Sequence, residues 1–167
     1  MSLREAIQYS LMILLYLFLQ IFFMRNIVLF NYAFCFIYIA PILLLPADMD
    51  RMYTLLIAFA VGFLVDVFSN TFGMHASATV LIAYLRPFLI HYQMKSRGAE
   101  RAEVGIRAQG LGAFVSYIFP LILIHHSMLF LMEMNNFGMI LYTLIRIGAS
   151  TLFTTILIIL LELFSKR

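Results

Sequence analysis

The chain has 167 residues, 64% hydrophobic and 11% charged, with a mean hydropathy of +1.01 and a formal net charge of +3. Soluble domains run at about 45–50% apolar and about 25% charged, and a 19.3 kDa globule has too little interior to hide this excess. The composition therefore argues against a soluble enzyme, a disordered tail and a nucleic-acid-binding domain, and makes lipid the solvent for most of the chain.

Apolar segments fall at about residues 6–24, 30–45, 52–68, 75–92, 111–131 and 139–163. About 20 apolar residues cross a bilayer as a helix, so every segment but the second is long enough. The layout predicts an all-α integral membrane protein, a single polytopic domain over 1–167 with a bundle of six transmembrane helices. The first segment is too long for a signal-peptide core and lacks a small-residue cleavage site, so it reads as a retained helix. The second segment is short and carries Pro41, with Pro46 at its end. It either crosses with local thinning or is re-entrant, which gives five helices plus one re-entrant segment as the alternative. The only substantial polar stretch is 93–110, where Lys95, Arg97, Arg101 and Arg107 form a basic loop. Membrane lipid is the expected environment, and anionic lipid attracts such a loop.

With six helices and the N-terminus inside, Arg4, Arg51, Lys95, Arg97, Arg101, Arg107, Lys166 and Arg167 are cytoplasmic and Arg25 alone is outside. That is a strong positive-inside bias. If the second segment does not cross, Arg4 and Arg25 exchange sides and the ratio is unchanged. Charge thus fixes the loops after residue 46 and a cytoplasmic C-terminus, but not the N-terminus.

Ionisable residues inside a spanning helix cost about 2.5–3.5 kcal/mol each at its centre. Gly62, Asp66 and Ser69 share one face of the third helix, and Asn70 closes it. Arg146, Ser150 and Thr154 share a face of the sixth. Asp66 and Arg146 reach similar depths from the outer side, so they either pair within the bundle or each reaches the interface separately. Ser69, Asn70, His125 and His126 complete a candidate polar network. The histidines lack the i,i+4 spacing of a metal site, and near an interface they find water or a carbonyl. No metal and no cofactor are expected. Arg86 reaches the inner headgroups and Pro87 kinks its helix. The run Gly148-Ala149-Ser150-Thr151 lacks the surroundings of an intramembrane serine nucleophile and reads as packing. Cys35, the single cysteine, reads as a small buried hydrophobe.

The stretch GFLVDVFSNTFGMHA at 62–76, followed by LIAYLRP at 81–87, resembles the rod shape-determining protein MreD family. The pattern is a glycine, an aspartate four residues later, then a glycine and small residues opening the next helix, here Gly62, Asp66, Gly73 and Ala76. Length, helix number and a basic loop before the fifth segment agree in layout. The resemblance implies Gly62, Gly73 and Ala76 as helix-packing positions. It also implies a multi-pass protein of the bacterial cell (inner) membrane that helps maintain rod shape. Its implied partners are MreC, the MreB filament, the RodA glycosyltransferase and a penicillin-binding transpeptidase, with no catalytic activity of its own. The implied fold is similar to the substrate-binding components of energy-coupling-factor transporters.

Two functional classes compete with a non-enzymatic scaffold. A vitamin-type transporter component would use an outer polar cluster (Asp66, Asn70, His75, His125, His126, Arg146) to capture a ligand. Such components present small residues on the first helix, and this one offers only Ala6 and Ser10 before a bulky run. An intramembrane enzyme needs a nucleophile–base or metal constellation, and no arrangement of residues here reads as one.

Overall fold

The computed structural model describes residues 3–97, 104–134 and 136–164. Five long helices dominate: α1 (Leu3–Phe22), α3 (Arg51–Ser69), α4 (Met74–Arg97), α6 (Leu111–Glu133) and α7 (Ile140–Phe164). Two short helices, α2 (Ala40–Leu43) and α5 (Ile106–Gln109), and a hairpin of β1 (Val28–Leu29) with β2 (Ala33–Phe34) complete the fold. Among the described residues four helices are long and apolar enough to cross a membrane: Leu3–Asn26, Arg51–Ser69, Leu111–Glu133 and Ile140–Phe164. Their outer faces carry large exposed side chains, such as Leu14 and Phe18 on α1, Phe63 and Val67 on α3, and Leu152 and Ile156 on α7. An apolar perimeter of this kind has lipid as its matching solvent, and the protein is a mostly helical, membrane-embedded one. α4 matches the others in length but carries Arg86, Pro87 and a polar last turn.

Neighbouring helices run antiparallel. Asp66 meets Ala76 while the Arg51 guanidinium lies 4.3 Å from the centre of the Tyr84 ring, which sets α3 against α4. Ser77 Oγ meets Met132 Sδ and Gln93 Nε2 donates to the Ala113 carbonyl, which sets α4 against α6. Glu133 meets Arg146 and His126 meets Thr154, which sets α6 against α7. The bundle therefore has a hairpin end, holding residues 25–34, 66–76 and 130–146, and an opposite end at 46–51, 84–93 and 107–117.

The second apolar segment is not the sixth helix that its composition suggests. After the hairpin, whose register pairs Val28 with Phe34 and Leu29 with Ala33, the chain stays extended through Phe36 and then makes a 3-10 turn at Ile37–Ile39 leading into α2. Phe30 and Asn31 both adopt left-handed conformations (φ 52° and 63°), as a type I′ turn demands. Pro41 sits in the first turn of α2, where its missing N–H costs nothing, and Pro46 follows just past its end. Too few residues remain between the hairpin turn and Pro46 for a helix to cross. Instead the segment threads the bundle interior from the hairpin end to the opposite end, and Ile37–Ile39, Ala40, Ile42, Leu43 and Leu45 are 0–1% exposed.

Backbone that leaves a helix at membrane depth must find partners within the protein, because lipid offers none. Phe34 N donates to Ser150 Oγ (2.9 Å) and Phe36 N to Thr154 Oγ1 (3.2 Å). Gln20 Nε2 donates to the Cys35 carbonyl (3.1 Å). Tyr117 Oη donates to the Leu43 carbonyl (2.8 Å), and Arg86 donates to the Leu45 and Pro46 carbonyls and to Tyr117 Oη. Arg86 thus does not reach for headgroups: it is 2% exposed and ties off the carbonyl end of α2. Ser150, in the run that invited comparison with a protease, is a backbone ligand.

Candidate functional site

The residues of the 62–76 pattern meet in one clamp. Gly62 faces α4 so closely that a methyl group there would lie 2.6 Å from Ala76 Cα and 2.7 Å from the His75 carbonyl oxygen. This approach brings the Asp66 carboxylate, one turn on, over the first turn of α4. Asp66 Oδ1 accepts from His75 N (3.0 Å) and Thr71 Oγ1 (2.5 Å), and Oδ2 accepts from Ala76 N (2.8 Å). His75 Nδ1 lies 3.1 Å from Oδ1 and 3.1 Å from Thr71 Oγ1. An anion at the positive end of a helix, satisfying N–H groups that have no intrahelical partner, is favourable on both counts. Asp66 and His75 are buried, while Thr71 is half-buried at the edge of the clamp.

The turn between the helices uses backbone chemistry. Asn70 closes α3 in the left-handed conformation (φ 55°), which asparagine tolerates. Gly73 has φ +78°, where a side chain is strained, and there is open space around its Cα. Gly73 therefore serves the turn and not helix packing, whereas Gly62 and Ala76 do make the close helix contact expected of them. Asn70 is an exposed cap, outside any intramembrane network.

Asp66 and Arg146 are not paired. Arg146 Nη2 donates to Glu133 Oε2 (3.1 Å), and its guanidinium lies 4.4 Å from the centre of the Phe130 ring and 4.7 Å from that of Phe34. Both charges lie at the hairpin end of the bundle. However, α3 packs on α4 and α1, while α7 packs on α6 and β2, so they face different neighbours. Ser69, His75 and Arg146 line one cleft at the hairpin end together with Gln20, Arg25 and Glu133.

His125 and His126 are fully buried, away from the interface where the sequence places them. His125 Nε2 lies 2.8 Å from Tyr38 Oη. His126 Nδ1 donates to the Ile122 carbonyl (2.7 Å), and its Nε2 lies 3.2 Å from Thr154 Oγ1. Phe36 packs on both rings, with centroids 6.0 and 5.2 Å away. The pair anchors the extended segment between α6 and α7. Among the described residues no group of three His, Cys, Asp or Glu is placed to hold a metal ion.

Of the basic loop, Lys95 lies exposed near the end of α4 and Arg107 exposed on α5. The Arg97 side chain and Arg101 lie outside the described residues. Sequence reasoning missed Gln20, Tyr117 and Glu133. Their signal was available only in part: a glutamine deep in an apolar run and a glutamate closing a spanning helix are both costly in lipid. Comparison with family models, with curated proteins and with solved structures finds no match to this chain.

Proposed function

We propose that this chain is a non-enzymatic membrane scaffold of the bacterial elongation machinery, of the MreD kind. It would sit in the cell membrane, crossing six times if the irregular segment 28–46 counts as one passage, with both termini cytoplasmic and a fold similar to the substrate-binding components of energy-coupling-factor transporters. In this reading it organises MreC and, through it, MreB, RodA and a penicillin-binding transpeptidase. The observation that supports the reading is the clamp: Gly62, Asp66, Gly73 and Ala76, the residues of the MreD-like pattern, work as one structural unit. Arg86, Tyr117, Ser150 and Thr154 inside the bundle also hold backbone, and in this reading the protein acts through its helix faces and short loops.

Depletion in the native host tests this. Rods should become spheres with delocalised wall synthesis, and an MreC-type protein should co-purify in mild detergent. Cells that keep shape and wall pattern without the chain refute the proposal. A second reading, a transporter's substrate-binding component, draws on the cleft at the hairpin end. It requires a neighbouring ATPase pair and uptake of a nutrient that depends on this chain.

A further inference from the structure

The two ends of the bundle differ in charge. The connections opposite the hairpin, 46–51 and 93–110, carry nine charged residues, while those at the hairpin end, 23–32, 70–73 and 134–139, carry Arg25 alone. Loops that stand in water ordinarily expose polar and charged side chains. Here the tips expose large apolar ones: Phe30 at the hairpin turn is 90% exposed and Phe72 on the α3–α4 turn 97%. Phe22, Phe23, Ile27, Val28 and Leu29 are exposed too. Phe30 is also held in the left-handed region (φ 52°), which asparagine or glycine takes at little cost and a bulky residue does not. So little of its ring meets the protein that packing within the chain does not offset this strain. A strained residue with an exposed ring points to a role outside the fold.

Helix length says what lies there. Arg4 to Phe22 in α1, and Arg51 to Ser69 in α3, each span about 27 Å at about 1.5 Å per residue. The hydrocarbon layer of a bilayer is about 30 Å thick. At the opposite end the Arg51 guanidinium lies over the Tyr84 and Phe88 rings, and Tyr53 and Tyr92 on the same two helices are exposed. That mixture of aromatic and basic side chains is the composition of a membrane interface. With this end at one interface, α1 and α3 stop at or just short of the other, and any tilt shortens their reach further. The turn 70–73 has no length to climb clear of the headgroups. Moreover, Phe72 lines one groove with Phe59, Phe63 and Val67, the exposed row of α3, so the apolar outer wall runs on into the turn.

We infer that the hairpin end is a lipid-binding surface, seated in the headgroup layer with Phe30 and Phe72 inserted at the hydrocarbon boundary. The headgroup layer, and not the hydrocarbon itself, is the fitting depth, because a two-stranded hairpin has edges whose backbone groups need water or headgroups. Arg25 suits the same layer, where its guanidinium meets lipid phosphates. The inference rests on the chain's being embedded in a membrane and on neither functional reading. It holds whichever side of the membrane this end faces.

The chain has no tryptophan, so Phe30→Trp and Phe72→Trp each place a single reporter in the full-length protein. Both rings are almost fully exposed, and the replacement keeps an aromatic side chain at each site. Phe63→Trp, on the outer wall of α3, checks that each preparation is inserted. The proteins are reconstituted in vesicles of phosphatidylcholine and phosphatidylglycerol, with phosphatidylcholine brominated either high or low on its acyl chains. Emission from positions 30 and 72 should be blue-shifted from that of free N-acetyltryptophanamide. It should be quenched more by the shallow bromines than by the deep ones, and several-fold less by iodide than the free compound is. Quenching by iodide at the free compound's level, with none by brominated lipid, would place this end in water and overturn the inference. Protection from iodide and brominated lipid alike would overturn it in favour of a second copy or another protein covering the surface. Stronger quenching by the deep bromines would contradict the placement at the headgroup boundary.

Discussion

The α3–α4 clamp and the threaded segment 28–46 solve the same problem at different ranges. Both satisfy buried polar backbone with side chains. In the clamp, a carboxylate nine and ten residues upstream satisfies the first N–H groups of α4, and a glycine on the adjacent turn lets the helices approach. In the threaded segment the partners arrive from far along the chain: Arg86 and Tyr117 for the carbonyls of Leu43, Leu45 and Pro46, Ser150 and Thr154 for the N–H groups of Phe34 and Phe36. The first arrangement is a motif. The second is a consequence of assembly, and each of its partners would read as a functional residue if taken alone.

Substitutions can break either side of this contrast. Arg86→Met should be the most damaging, since it strands the carbonyls at the end of α2 in a dry site. The expected loss is about 4 kcal/mol, seen as failure to accumulate in the membrane or collapse of the unfolding midpoint. Gly62→Ala comes next. Its methyl group meets backbone on α4 that cannot rotate away, so the helices must separate at about 2–3 kcal/mol, and Gly62→Leu should be worse still. Asp66→Ala should cost about 2–3 kcal/mol by leaving the His75 and Ala76 N–H groups unpaired, and Asp66→Asn, which keeps one acceptor oxygen, about half as much. Thr154→Val should cost about 1 kcal/mol, since it removes the acceptor for Phe36 N and the contact with His126 Nε2. Combining it with Asp66→Asn should give additive losses in unfolding free energy, because the two groups share no partner.

The clamp was legible only in part: helix spacing gave the shared face of Gly62 and Asp66, but the sequence offered Arg146 as the partner of Asp66, whereas its partners are Thr71 and the His75 and Ala76 N–H groups. Glycine and aspartate four apart share a helix face, and a turn of a few residues returns the chain to meet them. The threaded segment was legible only as an anomaly. Its length, Pro41 and Pro46 marked it as a poor helix, but the hairpin and the extended stretch depend on partners more than a hundred residues away, which periodicity cannot show. Arg146 falls between the two. Counting residues from the helix end gives a position along the helix, but not a direction around the bundle, and the partner is Glu133 on the adjoining helix. The histidines misled for a related reason: their position near a helix end suggested water, while Phe36 packs on both rings and Tyr38 on His125.

The claim that polar side chains of this bundle are spent on holding an unwound passage is tested most directly by backbone Cα chemical shifts for residues 30–45 of the intact chain in lipid nanodiscs. Extended shifts through 33–36, with helical values beginning only near 37, are the expected result. An unbroken helical pattern across 30–45 would contradict the account, because Ser150, Thr154 and Gln20 would then have no such backbone to hold.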